Sequence, residues 1–192
     1  MEALLVSTGV VALAEIGDKT QLLAFVLAAR FRRPLPIVLG ILLATLVNHG
    51  LAGALGAWIA ATVSPTVLRW ALGLSFLAMA VWTLIPDRVE DDELAIARRW
   101  GVFGATLATF FLAEMGDKTQ VATVAMAVHY AAPVLVVIGT TLGMLIADVP
   151  AVFVGDRLAH RIPMRLVHGV AAGIFAVLGV LTLLGGGQAL GF

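Results

Sequence analysis

Residues 15–21 read Glu15-Ile16-Gly17-Asp18-Lys19-Thr20-Gln21, and residues 114–120 read Glu114-Met115-Gly116-Asp117-Lys118-Thr119-Gln120. The two blocks differ at one position in seven and stand 99 residues apart. Each brings three charged residues into an otherwise apolar stretch, 3–29 in one case and 101–130 in the other. Stretches of that length and composition read as membrane spans, for which about 20 residues suffice. A single Asp or Lys at the centre of such a helix costs roughly 2.5–3.5 kcal/mol to insert. Six such groups, placed twice in the same order, must face the protein interior and be paired there or coordinate an ion.

The register extends well beyond the two blocks. At the same offset of 99, Pro34 meets Pro133, Gly40 meets Gly139, Gly56 meets Gly155, Phe76 meets Phe175, and Thr83-Leu84 meets Thr182-Leu183. Hydrophobic residues make up 61% of the chain and charged residues 12%, against roughly half and a quarter in soluble domains. The apolar runs predict six spans, at 3–29, 35–61, 66–85, 101–130, 134–155 and 164–185. Three spans per half is an odd number, so the second half must lie upside down relative to the first. The expected fold is therefore an all-α membrane protein of six transmembrane helices in two inverted three-helix repeats. Residues 1–86 form the first repeat, 87–99 a cytoplasmic linker loop, and 100–192 the second. Inverted repeats of this kind are a common plan of secondary transporters, with the site near the midplane.

Orientation follows from the basic residues. Arg30, Arg32, Arg33, Arg88, Arg98, Arg99, Arg157, Arg161 and Arg165 fall in or beside loops 1–2, 3–4 and 5–6, and only Arg69 falls on the opposite side. The positive-inside rule assigns those three loops to the cytoplasm and both termini to the outside. Met1-Glu2 lacks the basic region of a signal peptide, so the first apolar stretch is expected to be kept. Glu15 lies 15 residues before Arg30, and Glu114 lies 15 residues after Arg99. At ~1.5 Å per helical residue, both carboxylates sit roughly 20 Å from the cytoplasmic edge, near mid-bilayer.

The chemistry of the blocks is that of an oxygen-rich cation site. Glu and Asp at i, i+3 share a helical face. The Gly between them lowers helix stability by ~1 kcal/mol relative to Ala and permits local unwinding, which frees backbone carbonyls. Four carboxylates and two Lys leave a formal charge of −2, which one divalent cation or two protons would neutralise. Such ligands suit Mn²⁺, Ca²⁺ or Mg²⁺. The chain contains no Cys, which excludes a disulfide framework and a thiolate metal site. A plainer reading makes Glu15–Lys19 and Glu114–Lys118 simple i, i+4 ion pairs within each helix. Duplication, depth and the extra Asp in each copy weigh against that as the whole account. Lys19 and Lys118 are then either counter-charges for the empty site or direct participants in exchange.

Weaker signals lie elsewhere. Asn48 and His49 fall on Ala147 and Asp148 in the repeat register. Asn48, His49 and Asp148 are candidates for the ion path or a proton relay, with hydrogen-bonded packing as the alternative. Glu90-Asp91-Asp92-Glu93 reads as a solvated loop, and His129, His160 and His168 as interfacial residues near span ends. The Gly and Ala of spans two, five and six are expected to permit close helix packing.

Two Glu-X-Gly-Asp-Lys-Thr blocks, one per three-helix half, resemble the Gdt1 family of cation/proton antiporters, over nearly the whole chain. The resemblance implies six spans, inverted repeats and transport of Mn²⁺ or Ca²⁺ against protons, with bacterial members as manganese exporters. It carries the acidic ligands onto Glu15, Asp18, Glu114 and Asp117, and the neighbouring polar positions onto Thr20, Gln21, Thr119 and Gln120. The short loops and the lack of a targeting extension favour a bacterial inner-membrane protein; the expected partners are a divalent cation, protons and the lipid bilayer, with no prosthetic group, no enzymatic activity and, since the basic residues report orientation, no nucleic acid. A Ca²⁺/H⁺ antiporter of the same fold is the nearest alternative. An intramembrane lipid-phosphate enzyme would want an Arg clamp at midplane, and the Arg residues lie at the edges. An amino-acid-type exporter leaves the six duplicated charges unexplained.

Overall fold

A computed structural model describes residues 1–85, 100–154 and 164–184. The linker 87–99 with its acidic run Glu90–Glu93, the loop residues Arg157, His160 and Arg161, and the tail 185–192 lie outside the described residues. Among those described, eight helices and no strands occur. These are α1 (Glu2–Glu15), α2 (Lys19–Phe31), α3 (Pro34–Thr62), α4 (Pro65–Trp82), α5 (Gly101–Glu114), α6 (Lys118–Tyr130), α7 (Pro133–Val154) and α8 (Met164–Leu183). Three are long and apolar enough to cross a membrane by themselves: α3, α4 and the Pro133–Phe153 part of α7. The stretches 3–29 and 101–130 are each two helices that meet at the motif. Their excess length is thus taken up by a break.

The cause of each break is local. After Glu15 the chain turns extended at Ile16 (φ −63°, ψ 114°), and Gly17 adopts φ +86°. Met115 (φ −68°, ψ 114°) and Gly116 (φ +81°) repeat this after Glu114. Only Gly takes up that left-handed backbone readily. Asp18 and Asp117 then cap α2 and α6 in extended conformation, and neither turns its side chain back onto its own helix. Each carboxylate is thereby left to point elsewhere.

Sidedness is inverted relative to a soluble protein. Helix α3 buries Thr45, Asn48 and His49 while exposing Leu39, Leu43, Leu46, Val47, Leu51, Leu55 and Trp58. Polar groups inside and large apolar groups outside are what a lipid solvent selects. Exposed Trp58, Trp70 and Trp100 suit the interfacial zones where indoles concentrate.

The halves interlock. Helix α1 lies against α7 and α5 against α3; α2 lies against α7 and α6 against α3; α4 packs along α8. Each broken pair is thus held by the long helix of the other half. Glycines permit that approach. A Cβ at Gly143 of α7 would stand 2.6 Å from the Thr8 carbonyl oxygen and 2.9 Å from the Ala12 nitrogen on α1. Gly9, on the open face of α1, has nothing within 4 Å. Thermal unfolding in detergent should therefore separate two Gly→Ala changes. Gly143→Ala should lose about 1–3 kcal/mol to overpacking, and Gly9→Ala should gain about 0.5–1 kcal/mol of helix stability.

Candidate metal centre

The two breaks bring buried acidic residues from both halves of the chain together. Glu15, Glu114 and Asp117 are all buried, and one carboxylate oxygen from each lies within 4.8 Å of the others. Residues almost a hundred positions apart are thus gathered at a spacing that a single cation could bridge. Glu15 and Glu114 each end a helix, where orphan backbone carbonyls place partial negative charge. That end of a broken helix is the one suited to a cation.

The second oxygens of the glutamates are held in matching ways. Thr20 Oγ1 donates to Glu15 Oε2 at 2.7 Å, and Thr119 Oγ1 donates to Glu114 Oε2 at 2.9 Å. Among the described residues, Glu15 Oε1 and Glu114 Oε1 accept no hydrogen bond from the chain. A buried carboxylate oxygen in that condition is costly unless a cation or proton occupies it.

The glutamines brace the breaks. Gln21 Oε1 accepts from the Gly17 amide at 2.8 Å, while Gln21 Nε2 donates to the Ala147 carbonyl of α7 at 2.8 Å. Gln120 Oε1 accepts from the Gly116 amide at 2.7 Å. This is a relative of the capping box, with the third helical residue reaching back to the amide just before the N-cap. Asn48 Nδ2 donates at 3.0 Å to the Phe111 carbonyl in the last turn of α5, an orphan acceptor of the broken helix. Asn48 is thus a packing and capping residue in this structure, and its Oδ1 has no hydrogen-bond partner among the described residues.

The lysines do not make the pairs available to them along a continuous helix. Lys118 Nζ lies 2.7 Å from Asp18 Oδ1, and Lys19 Nζ lies 3.9 Å from Asp117 Oδ1. Each lysine therefore meets the aspartate of the opposite half. The i, i+4 reading of Glu15–Lys19 and Glu114–Lys118 gives way to this exchange, because the break redirects both residues.

Asp148 is fully buried and close enough for its charge to act on Glu15, Asp18 and Glu114. Neither of its oxygens has a hydrogen-bond partner among the described residues. His49, its repeat equivalent, is likewise buried with both ring nitrogens unsatisfied there. His129 is half-buried in the last turn of α6. It packs edge-on against Phe76 at 6.1 Å and Tyr130 at 4.7 Å between ring centroids. His168 makes a contact beyond its interfacial reading: its Nε2 lies 3.0 Å from the Ile16 carbonyl, beside the first break. No sequence signal marks that contact, which depends on where α8 crosses α1.

An acidic, oxygen-lined centre enclosed by apolar helices defines the class of membrane cation transporters. The chain belongs to the GDT1 family, described as divalent cation/proton antiporters, whose model matches residues 3–91 and 102–189. It is thus a transporter-family protein and not an enzyme. A Vibrio cholerae protein named "Putative manganese exporter" is 49% identical over 183 residues, covering 95% of this chain and 90% of its own. A GDT1-like protein of Synechocystis is 30% identical, covering 87% of this chain and 91% of its own. "GDT1-like protein 3" of Oryza sativa is 32% identical, covering 91% and 71%. No solved structure matches the chain.

The two ion pairs differ in depth, and stability should register it. Lys118 and Asp18 are 1% and 0% exposed, whereas Lys19 is 21% exposed. Lys118→Gln should cost about 3 kcal/mol by stranding a buried carboxylate, and Lys19→Gln less than that, because Lys19 is partly exposed and stands 3.9 Å from Asp117. Adding Asp18→Asn should restore most of the Lys118→Gln loss, as read by chemical unfolding in micelles.

Proposed function

We propose that this protein exports Mn²⁺ in exchange for protons, with the ion held at the bilayer midplane between Glu15, Asp18, Glu114 and Asp117. The observation that carries the reading is the convergence of Glu15, Glu114 and Asp117 from two halves of the chain. The donors are hard oxygens, which suit Mn²⁺ and Ca²⁺ alike. The name of the Vibrio relative favours Mn²⁺, and Ca²⁺ is the second reading on the same ligands.

Six spans in two inverted halves, with both termini outside a bacterial inner membrane, complete the proposal. The paired family matches at 3–91 and 102–189 support the duplication. The odd number of spans per half and the arginine bias support the inversion and the orientation.

Charge sets the cycle. Asp148, buried next to the Ala147 carbonyl that accepts from Gln21, adds a fifth carboxylate, so five acids against Lys19 and Lys118 leave −3 when all are ionised. A divalent cation reduces this to −1, and a proton is needed as well. When the cation leaves, protons must replace it, because buried acids cannot hold the bare charge. Thr20 and Thr119 orient the glutamates, Gln21 and Gln120 keep the breaks open, and Asp148, with His49 opposite, is the candidate proton path.

Reconstituted vesicles with an internal pH dye test this. Mn²⁺ entry should move protons the other way. Glu15→Gln and Asp117→Asn should each abolish it with membrane insertion intact, while Arg30→Ala at the exposed end of α2 should leave it unchanged. Mn²⁺ uptake without proton countermovement would reject antiport. Undiminished transport by the Glu15→Gln/Glu114→Gln double variant would remove the proposed site, and faster Ca²⁺ than Mn²⁺ exchange would favour the second reading.

A further inference from the structure

The same seven-residue motif stands in two different states within one chain. At the first break Ile16 and Gly17 are half-buried, His168 covers the Ile16 carbonyl, and Asp18 is gripped at 2.7 Å by the buried Lys118. At the second break Met115 and Gly116 are exposed, and Asp117 meets the partly exposed Lys19 at only 3.9 Å. The residue in register with His168 is Arg69, since 168 − 99 = 69, and it lies exposed over the Trp70 ring. One break is therefore half-buried and closely paired, and the other is exposed and more distantly paired. The aspartate that joins the three-carboxylate group is the loosely held one, Asp117.

Ile16 against Met115 is the only difference between the blocks. That difference does not code for two states, so both arrangements are accessible to the same local sequence. Such an element is bistable, and whatever favours one arrangement in one half can favour it in the other. Both pairs cannot be loose together, because a buried carboxylate without its counter-charge is costly. Both tight would leave the ion only the two glutamates.

We propose, on the antiporter reading above, that Lys118 and Lys19 are reciprocal positioning residues. The grip passes from the Asp18–Lys118 pair to the Asp117–Lys19 pair as the centre changes the face it opens to, and Asp18 then replaces Asp117 as the third carboxylate of the ion. Each lysine holds the aspartate not in use, so that of the four acids proposed above the ion meets three at a time, Glu15 and Glu114 with one or other aspartate.

The natural absence of Cys allows a direct test on the full chain. Ile16→Cys or Met115→Cys is introduced singly, and membrane fragments open on both faces are treated with a small charged thiol reagent, with no cation added. In the otherwise unchanged chain, the cysteine at 115 should react about tenfold faster than that at 16, the ratio of a strongly biased two-state element. Removing the first pair by Asp18→Asn/Lys118→Gln, which takes away one charge of each sign, should speed reaction at 16 and slow it at 115. Removing the second by Lys19→Gln/Asp117→Asn should do the reverse. Shifts in the same direction, or none, would overturn the exchange of grip. Ordinary structural loosening would raise reactivity at both positions in both variants. The labelling reads no ion movement, so the two proposals fail separately. Transport with parallel shifts would remove only the reciprocal pairing, whereas opposed shifts without proton-coupled transport would remove only the antiport.

Discussion

Six ionisable side chains, Glu15, Asp18, Glu114, Asp117, Lys118 and Asp148, are buried in one apolar shell, and the rest of the molecule is arranged around keeping them there. Charge enclosed without water is tolerated only when it is met by an opposite charge or a hydrogen bond. The Asp18–Lys118 pair at 2.7 Å is the tightest such match. It joins the two halves of the chain, so the demand for neutrality is also a demand that the halves meet. The pairing of a lysine from one half with an aspartate from the other turns an electrostatic requirement into a topological one.

The helix breaks make this possible. A continuous helix through Glu15 and Lys19 would spend both on each other. With Gly17 at φ +86°, the chain stops, turns and starts again, so that Glu15 ends one helix and Lys19 begins the next. The freed backbone groups are then taken up nearby, the Gly17 and Gly116 amides by Gln21 and Gln120, and the Phe111 carbonyl by Asn48. What the break costs in helical hydrogen bonds is offset by side chains that the motif itself carries, apart from Asn48, which comes from the opposite half.

Much of this was legible beforehand. The repeat at 99 residues, the depth of the motifs and the glycine inside each one pointed to a broken, duplicated centre rich in oxygen ligands. Asn48 and Asp148 stood out as polar residues in apolar runs, yet their separate duties did not, because register alone does not distinguish a cap on a neighbouring helix from a charge beside the cluster. For the same kind of reason the contact of His168 was not legible. Its place near a span end says nothing of which backbone lies alongside, and here that is the Ile16 carbonyl.

By itself the sequence determined that charged motifs must be buried and that they come in two matching copies, since spacing and apolar context set the cost of insertion without reference to any partner. Only the tertiary structure decided which lysine faces which aspartate and which of the two breaks is covered. Those outcomes depend on helices from opposite halves approaching within hydrogen-bonding distance. Two near-identical segments cannot encode a difference between themselves, so the asymmetry resides in their surroundings.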